Sequence, residues 1–488
     1  MMNLADGLAL QARARPDHPA IIAGERTLLY RDLDPLVRRT AAHIGDLGIR
    51  AGDIVGVALR DTLEHLVLLY GLARMGAIML PIDCRWTVEE KTRLASFFRA
   101  RLVLLEAVDQ TLPGQNNLAV DEAWHAAVAA GPADRPYASD GAAPLLLSLS
   151  SGTTGIPKGP VMTHYQFLRR FWTHWINLNL NSHDRYVSAT PLYFGGGRTF
   201  AMSQLFCGGT VIMFPPPYSP EDLVAEVGRR AASSIFLVPT LLRRLLQADL
   251  APRGPLWHLR TLLSSGSALH PDERRIIRER LCPNFYEYYA STEGGGVTLL
   301  TPEDQKRYDD SVGRPVFAVE VEIVDDEHRP LPCGEAGRLR YRGPAVATGF
   351  YNDPEGSAEA FHDGWFYPGD LATMNESGYV FLKGRRKDMI IRGGVNIYPT
   401  EIEAVLLGHD AVAEAAVVGW PAPDLGEEVA AFVLTNRAVE EVELIAVCRA
   451  SLASYKVPRR IFFLDEMPKN SAGKIVKPAL AARLPENK

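Results

Sequence analysis

The chain has 488 residues, too many for one ordinary hydrophobic core, so several domains are predicted. Its composition, 47% hydrophobic and 23% charged, is globular, and a net charge of -6 with no long Lys/Arg run offers no field to a nucleic-acid backbone. The five cysteines, Cys84, Cys207, Cys282, Cys333 and Cys448, are scattered and form no C-x-x-C pair; this excludes a zinc site or disulfide framework, predicts a reducing cytoplasm, and leaves each thiol as a buried or partly buried small residue.

The first twenty residues lack the basic start, apolar core and cleavage site of a secretory signal, and no apolar stretch is long enough to span a bilayer. A cytoplasmic protein without integral membrane association is expected. From about residue 20 to 240, "DIVGVALR", "TLEHLVLLYGLARMGAIMLPID", "RLVLLE", "TVIMFPPP" and "SSIFLVPT" alternate apolar runs with longer amphipathic segments. That texture predicts an α/β architecture with largely parallel, covered sheets. Between roughly 310 and 384 short runs with turn residues predict a β-rich subdomain. After "GRRKD" a helix, two strands and another helix suit a small separate α+β domain.

"LLLSLSSGTTGIPKGP" (145–160) breaks an apolar run with six consecutive Ser, Gly and Thr residues, followed by Pro157, Lys158 and Gly159. Such clusters ordinarily mark linkers. This one is followed by the amphipathic "VMTHYQFLRRFWTHW", which predicts a loop between strand and helix. There glycines admit a phosphate, hydroxyls and amides donate to it, and the lysine supplies charge. The spacing is not G-x-x-x-x-G-K-[ST], so it is not that P-loop.

Four further segments read blandly alone. "YYASTEGGG" (288–296) sets Thr292 and Glu293 beside three glycines, a surface turn or a carboxylate site for Mg²⁺. "GWFYPGDLA" (364–372) presents Asp370 after a Pro-Gly turn, as a turn aspartate or a ribose acceptor. "GRRKDMIIRGGVNIYPTEIE" (384–403) is a basic turn, a Gly-Gly loop and a helix start. "PKNSAGKIVK" (468–477) carries Lys474, by itself a solvated charge.

In order and spacing, the five segments together resemble the adenylate-forming superfamily of acyl-CoA synthetases, stand-alone adenylation domains and luciferases, over residues 10 to 480 or so. The resemblance implies an N-terminal adenylation domain over 1–384, a hinge at 385–388, and a mobile α+β lid over 389–488 whose two orientations serve two half-reactions. ATP, Mg²⁺, CoA and a carboxylic acid are the implied partners, with a homodimer left open.

Carried onto this sequence, Ser150, Ser151, Gly152, Thr153, Thr154, Gly155 and Lys158 would wrap the β- and γ-phosphates of ATP. Gly266 and Tyr289 would bound adenine, Thr292 would meet the α-phosphate, Glu293 would bind Mg²⁺, and Asp370 with Arg385 would hold the ribose. Lys474 would bridge the α-phosphate and the attacking carboxylate, lowering their repulsion as the transition state forms. For the second half-reaction Asp388 would be the hinge and Gly393-Gly394 would line a pantetheine tunnel. Arg85, Tyr455 and Lys456 match places where some relatives meet the nucleotide end of CoA.

The chain departs from the family pattern at Pro160, where an aliphatic residue is usual, at Ala290, where glycine is common, and at Lys477, where arginine is frequent. In "TPLYFGGGRTF" Phe194 replaces a frequent histidine. Tyr193, Phe194, Gly195, Gly196, Arg198 and Ala290 would form the acyl pocket. The phenylalanine and three glycines predict an apolar, roomy site for a fatty or aromatic acid. Arg198 is expected at the surface; turned inward it would demand an anion and hence a dicarboxylate. "GGVNIYPTEIE" matches the CoA-ligase form of the hinge, so the implied activity is an AMP-forming acid:CoA ligase. An acyl-AMP ligase loading an acyl carrier protein and a dicarboxylate–CoA ligase are the alternatives. A non-catalytic nucleotide sensor would have lost Lys474, Glu293 and Asp370.

Overall fold

Four sheets, of nine, six, six and five strands, carry the fold, in a computed structural model that describes residues 3–106, 111–132, 140–149, 159–422, 424–469 and 474–485. The nine-stranded sheet runs in spatial order Arg314–Pro315, Gly295–Leu300, Phe285–Ser291, Thr261–Ser264, Ser234–Leu237, Arg185–Ser188, Thr210–Met213, Pro19–Ala23 and Arg26–Leu29. Neighbours from Phe285–Ser291 through Pro19–Ala23 are parallel. The runs read from "TVIMFPPP" and "SSIFLVPT" are buried along their whole strands, as parallel strands covered on both faces must be.

A six-stranded sheet follows the order Asn117–Val120, Leu102–Glu106, Ile54–Ala58, Ile78–Pro81, Pro144–Leu147 and Val161–Thr163, parallel except for its last pair. One hydrophobic core draws on both sheets and on the helices Leu63–Met75, His164–Ile176 and Gly195–Cys207. Helix Leu63–Met75 is apolar nearly all round, which suits an element covered on every side. The Thr62 side chain accepts from the His65 N–H at its start, and Gly76, at φ 77°, ends it.

The β-rich segment forms a six-stranded sheet between Glu320–Val324 and Val380–Arg385. The C-terminal sheet takes its five strands from Ile390–Arg392 to Arg460–Phe463, with helices Pro399–Leu407 and Glu441–Ser451 packed into the same core. Among the described residues no helix is long and apolar enough to cross a membrane.

Two expectations change. The Ser/Gly/Thr loop does not join a strand to a helix: Pro144–Leu147 and Val161–Thr163 pair antiparallel, so it joins the arms of a hairpin, and the helix begins only at His164. Three residues of β-branched or extended preference, "VMT", take the sheet edge first, and Thr163 then caps the helix. Cys333 is exposed, because it lies in a turn between strands of the β-rich sheet; the other four thiols are buried or partly buried.

Candidate functional site

The parallel strands Arg185–Ser188, Ser234–Leu237, Thr261–Ser264 and Phe285–Ser291 point their carboxyl ends the same way. In open α/β sheets that edge is where ligands bind. The "PLYF" loop follows the first of these strands, Gly266 follows the third, and Tyr289 lies near the end of the fourth. Gly266 has φ 110° and faces open space, a backbone that only glycine adopts without strain.

Strand Phe285–Ser291 turns through Thr292, Glu293 and Gly294 into Gly295–Leu300. The turn is fixed from three sides: the Gly294 N–H donates to Ser291 Oγ at 2.9 Å, the Ala347 N–H to the Glu293 carbonyl at 2.9 Å, and Arg170 Nη2 to the Thr292 carbonyl at 2.9 Å. Ser291 Oγ also meets the Tyr341 hydroxyl, and a side chain at Gly294 would strike that ring at 2.5 Å. The glycines are there for close packing. Desolvation raises the Glu293 pKa, opposed by hydrogen bonds from its own N–H and Ser291. A carboxylate in this turn, with Arg170, Arg385 and Lys474 near enough to act on it, offers oxygen to a divalent ion. Among the described residues no group of three His, Cys, Asp or Glu side chains gathers.

Asp370 opens strand Asp370–Met374 and stands opposite Arg385 in the antiparallel partner strand. The Tyr289 hydroxyl donates to Asp370 Oδ2, and Arg385 Nε lies 2.7 Å from Oδ1. Arg385 Nη1 further donates to the Pro368 carbonyl at 2.7 Å. Burial raises the Asp370 pKa, while Arg385, the tyrosine bond and Lys474 oppose it.

Lys474 reaches the same place from the other end of the chain. Its loop is closed by a bridge between Lys469 and Ile475 and by the Val476 N–H donating to the Pro468 carbonyl at 2.8 Å. Burial and Arg385 lower the Lys474 pKa, and Asp370 and Glu293 raise it. Asp388, in the short turn Arg386–Asp388, also acts on Asp370. The structure therefore brings Tyr289, Glu293, Asp370, Arg385 and Lys474 into one electrostatic cluster.

Ser150, Ser151, Gly152, Thr153, Thr154, Gly155 and Lys158 lie outside the described residues. The Ser148 N–H donates to the Pro160 carbonyl at 3.0 Å, and the Tyr351 N–H to the Gly159 carbonyl at 2.9 Å. Pro160 is used through its carbonyl, which a proline offers as any residue does.

The acyl-side residues correct two expectations. Of the three glycines, only Gly195 opens on free space. A side chain at Gly196 would meet Phe236 at 2.8 Å, and one at Gly197 the Pro191 and Thr190 carbonyls at 2.4 Å. At Gly196 and Gly197 the run serves close packing at a helix start rather than an open wall. Arg198 is buried, at 1% exposure, and not at the surface; the helix that carries it lies in the shared core. Its Nη1 donates to the carbonyls of Leu192 at 2.9 Å and Tyr193 at 3.3 Å, and burial lowers its pKa to about 9. The two backbone carbonyls meet Nη1 alone, and among the described residues the buried Nε has no hydrogen-bond partner. Phe194 and Ala290 are partly exposed, and the Tyr193 and Phe194 rings touch at 4.8 Å.

The residues matched to CoA are spread out. Arg85 grips Asp83 through Nε at 3.0 Å and Nη2 at 2.7 Å, with its guanidinium 5.3 Å from the Tyr193 ring centre. Lys456 pairs with Glu401 at 2.7 Å beside the exposed Tyr455, on the C-terminal sheet's own helices. Gly393 and Gly394 form the turn between Ile390–Arg392 and Val395–Ile397.

Sequence reading missed Arg170 and Asp61. Arg170 falls between Phe167 and Phe171 on the buried face of helix His164–Ile176, and an arginine at an apolar position was its signal. Asp61 accepts the Leu192 N–H at 2.6 Å; nothing local in "LRDTLEH" marks it.

The family model described as AMP-binding enzyme matches residues 8–351, and that of the AMP-binding enzyme C-terminal domain matches 401–474. The chain is 32% identical over 477 residues to a feruloyl-CoA synthase from Amycolatopsis sp, covering 96% of each chain. It is 29% identical over 482 residues to the 2-succinylbenzoate--CoA ligase of Bacillus licheniformis, covering 98% of this chain and 99% of that one. Among solved structures, ATP-bound MatB from Rhodopseudomonas palustris superposes with a TM-score of 0.91 at 27% identity over 99% of both chains. The o-succinylbenzoate CoA synthetase of Bacillus subtilis, in complex with its acyl-adenylate intermediate, gives 0.90 at 26% identity over 98% of both.

Proposed function

Because the chain belongs to the AMP-binding enzyme family, we propose that its acid is aromatic and that the cluster around Asp370 and Lys474 carries the adenylation step. The enzyme is an AMP-forming acid:CoA ligase. A carboxylate oxygen attacks the α-phosphorus of ATP, the bond to the β-phosphate breaks, and pyrophosphate leaves. The CoA thiol, losing its proton, then attacks the acyl carbon of the acyl-AMP and expels AMP.

The observation that carries the residue assignment is the convergence of Glu293, Asp370, Arg385 and Lys474, four charges from separate segments, in one electrostatic field. We assign Asp370 and Arg385 to the ribose, Tyr289 to adenine and Thr292 to the α-phosphate. Lys474 is assigned to the charge that builds between carboxylate and phosphate. Glu293 would hold Mg²⁺, which neutralises phosphate charge when bound. Residues 385–388 are assigned as hinge and 389–488 as lid, with Gly393-Gly394, Arg85, Tyr455 and Lys456 on the CoA side. Five free cysteines and the use of ATP and CoA support a cytoplasmic location.

The aromatic reading draws on the names of the relatives above, feruloyl-CoA synthase and 2-succinylbenzoate--CoA ligase, and on Tyr193, Phe194 and Phe236 around the helix start. It is tested by pyrophosphate release with benzoate, ferulate, 2-succinylbenzoate, octanoate, palmitate and adipate, followed by thioester detection with CoA or an acyl carrier protein. Ferulate or another aromatic acid should give the highest kcat/KM. Preference for palmitate or adipate would reject it, and thioester formed only on the carrier protein would reject CoA as acceptor.

A further inference from the structure

The loop Pro191–Phe194 is held by a pair of charges that neither the motif reading nor the reaction requires. Leu192, fully buried, has both backbone polar groups engaged by side chains: its N–H donates to Asp61 at 2.6 Å, and its carbonyl accepts from Arg198 at 2.9 Å. Asp61 comes from the loop after strand Ile54–Ala58 of the six-stranded sheet, whereas Leu192 follows strand Arg185–Ser188 of the nine-stranded one. The contact therefore fastens one sheet's loop to the other's, directly beneath Tyr193 and Phe194. Behind Asp61 stands Asp83, whose charge is matched by the bidentate Arg85, and Arg85 lies over the Tyr193 ring.

We propose that Asp61 is a positioning residue for the acid: by holding the Leu192 peptide against Arg198 it sets the Tyr193–Phe194 pair, and so acid affinity follows the state of Asp61. This rests on the reading above that the loop borders the acid site. A backbone N–H bond to an ionised carboxylate is roughly twice as strong as one to a neutral group. Burial raises the Asp61 pKa to about 6, with the Leu192 N–H and Arg85 opposing and Asp83 adding to it. Cys84 and Tyr193 also face Asp61, and His65 and Arg198 lie on the far side of the loop; burial keeps both thiol and phenol neutral in this range and pushes the imidazole down to about 4. Asp61 is thus the group of this set whose charge changes near pH 6, and the loop's hold weakens as pH falls through that value.

The stability sign runs the other way. A carboxyl raised by burial contributes most to folding below its unfolded pKa and loses that contribution as pH rises through the folded one. Removing its charge should therefore not lower the melting temperature at pH 8, which separates positioning of the loop from a role in stability.

The test uses Asp61→Ala, Asp61→Asn and Phe194→Ala in the full-length enzyme, with the best acid of the panel above, between pH 5 and 8. Asp61→Ala should raise the acid KM by about tenfold, the loss of one charge-assisted hydrogen bond, while the ATP KM stays within about twofold. Asp61→Asn keeps only a neutral acceptor for the Leu192 N–H, so at pH 7.5 its acid KM should already sit at the raised value that the wild type reaches below pH 6, short of that of Asp61→Ala. It should also lose the rise in acid KM that the wild type shows below pH 6, with no fall in melting temperature at pH 8. If Phe194→Ala alters acid KM and Asp61→Ala does not, the proposal is overturned while the acid-site reading stands. If neither alters it, both fall. Equal changes in acid and ATP KM, or identical pH profiles for Asp61→Asn and wild type, would likewise overturn it, and the latter comparison needs only the isosteric variant to fold.

Discussion

Tyr289 and Asp370, 81 positions apart, share one hydrogen bond, the tyrosine hydroxyl donating to Oδ2 while Arg385 occupies Oδ1. The carboxyl-end half of an inner strand of the nine-stranded sheet and the first residue of a strand in the β-rich sheet are thereby locked together around one buried carboxylate. Asp370→Asn keeps the shape and removes the charge that both partners use. We expect the ATP KM to rise about 10- to 100-fold, the range for a hydrogen bond to a charged group, with the acid KM little changed. Initial-rate kinetics with each substrate varied in turn checks this.

In the role assigned to it, Lys474 would serve the first half-reaction only. Lys474→Ala should lower acyl-AMP formation by about 10²-fold or more, as for other transition-state charge contacts, yet still convert supplied acyl-AMP and CoA to thioester. Equal losses in the two assays would remove Lys474 from the role assigned to it.

Asp388 lies in the three-residue turn between the strands Val380–Arg385 and Ile390–Arg392. Proline fixes φ near -65°, so Asp388→Pro should hold the lid in one orientation. Adenylation should persist and thioester formation should fall. A variant that completes the overall reaction at the wild-type rate would place the hinge elsewhere.

Glu293 is raised by desolvation, so its ionisation opposes folding of the ligand-free protein as pH rises through its folded pKa. Glu293→Gln should leave the ligand-free melting temperature at pH 8 undiminished and abolish the extra stabilisation that Mg²⁺ adds to ATP. Thermal unfolding with ATP alone and with ATP plus Mg²⁺ separates the two effects.

Away from the site, Arg274 and Glu287 form a buried bidentate pair, Nε to Oε2 at 2.6 Å and Nη2 to Oε1 at 2.8 Å. Arg274→Ala leaves Glu287 buried and unpaired. It should cost about 3–5 kcal/mol of stability, measured by denaturant unfolding, without changing the KM of any substrate in the protein that remains folded.

The chain's own pattern determined the α/β layering, the β-rich segment and the small C-terminal unit, because covered parallel strands and amphipathic helices leave local periodicities. It also offered the candidates, since glycines, hydroxyls and a lysine gathered in turns suit a backbone's approach to phosphate. Tertiary structure alone decided what local patterns cannot carry. Gly196 and Gly197 look like open space in "FGGGR" and are instead contact points, because Phe236 and the Thr190 and Pro191 carbonyls come from elsewhere in the fold. Arg198, surface-seeking by type, is buried, with two backbone carbonyls from the preceding loop accepting from its Nη1. Asp61 and Arg170 acquire meaning only when a second segment arrives, the Leu192 N–H for one and the Thr292 carbonyl for the other. A side chain's environment is set by chains distant in sequence, whereas an element's periodicity is written within it.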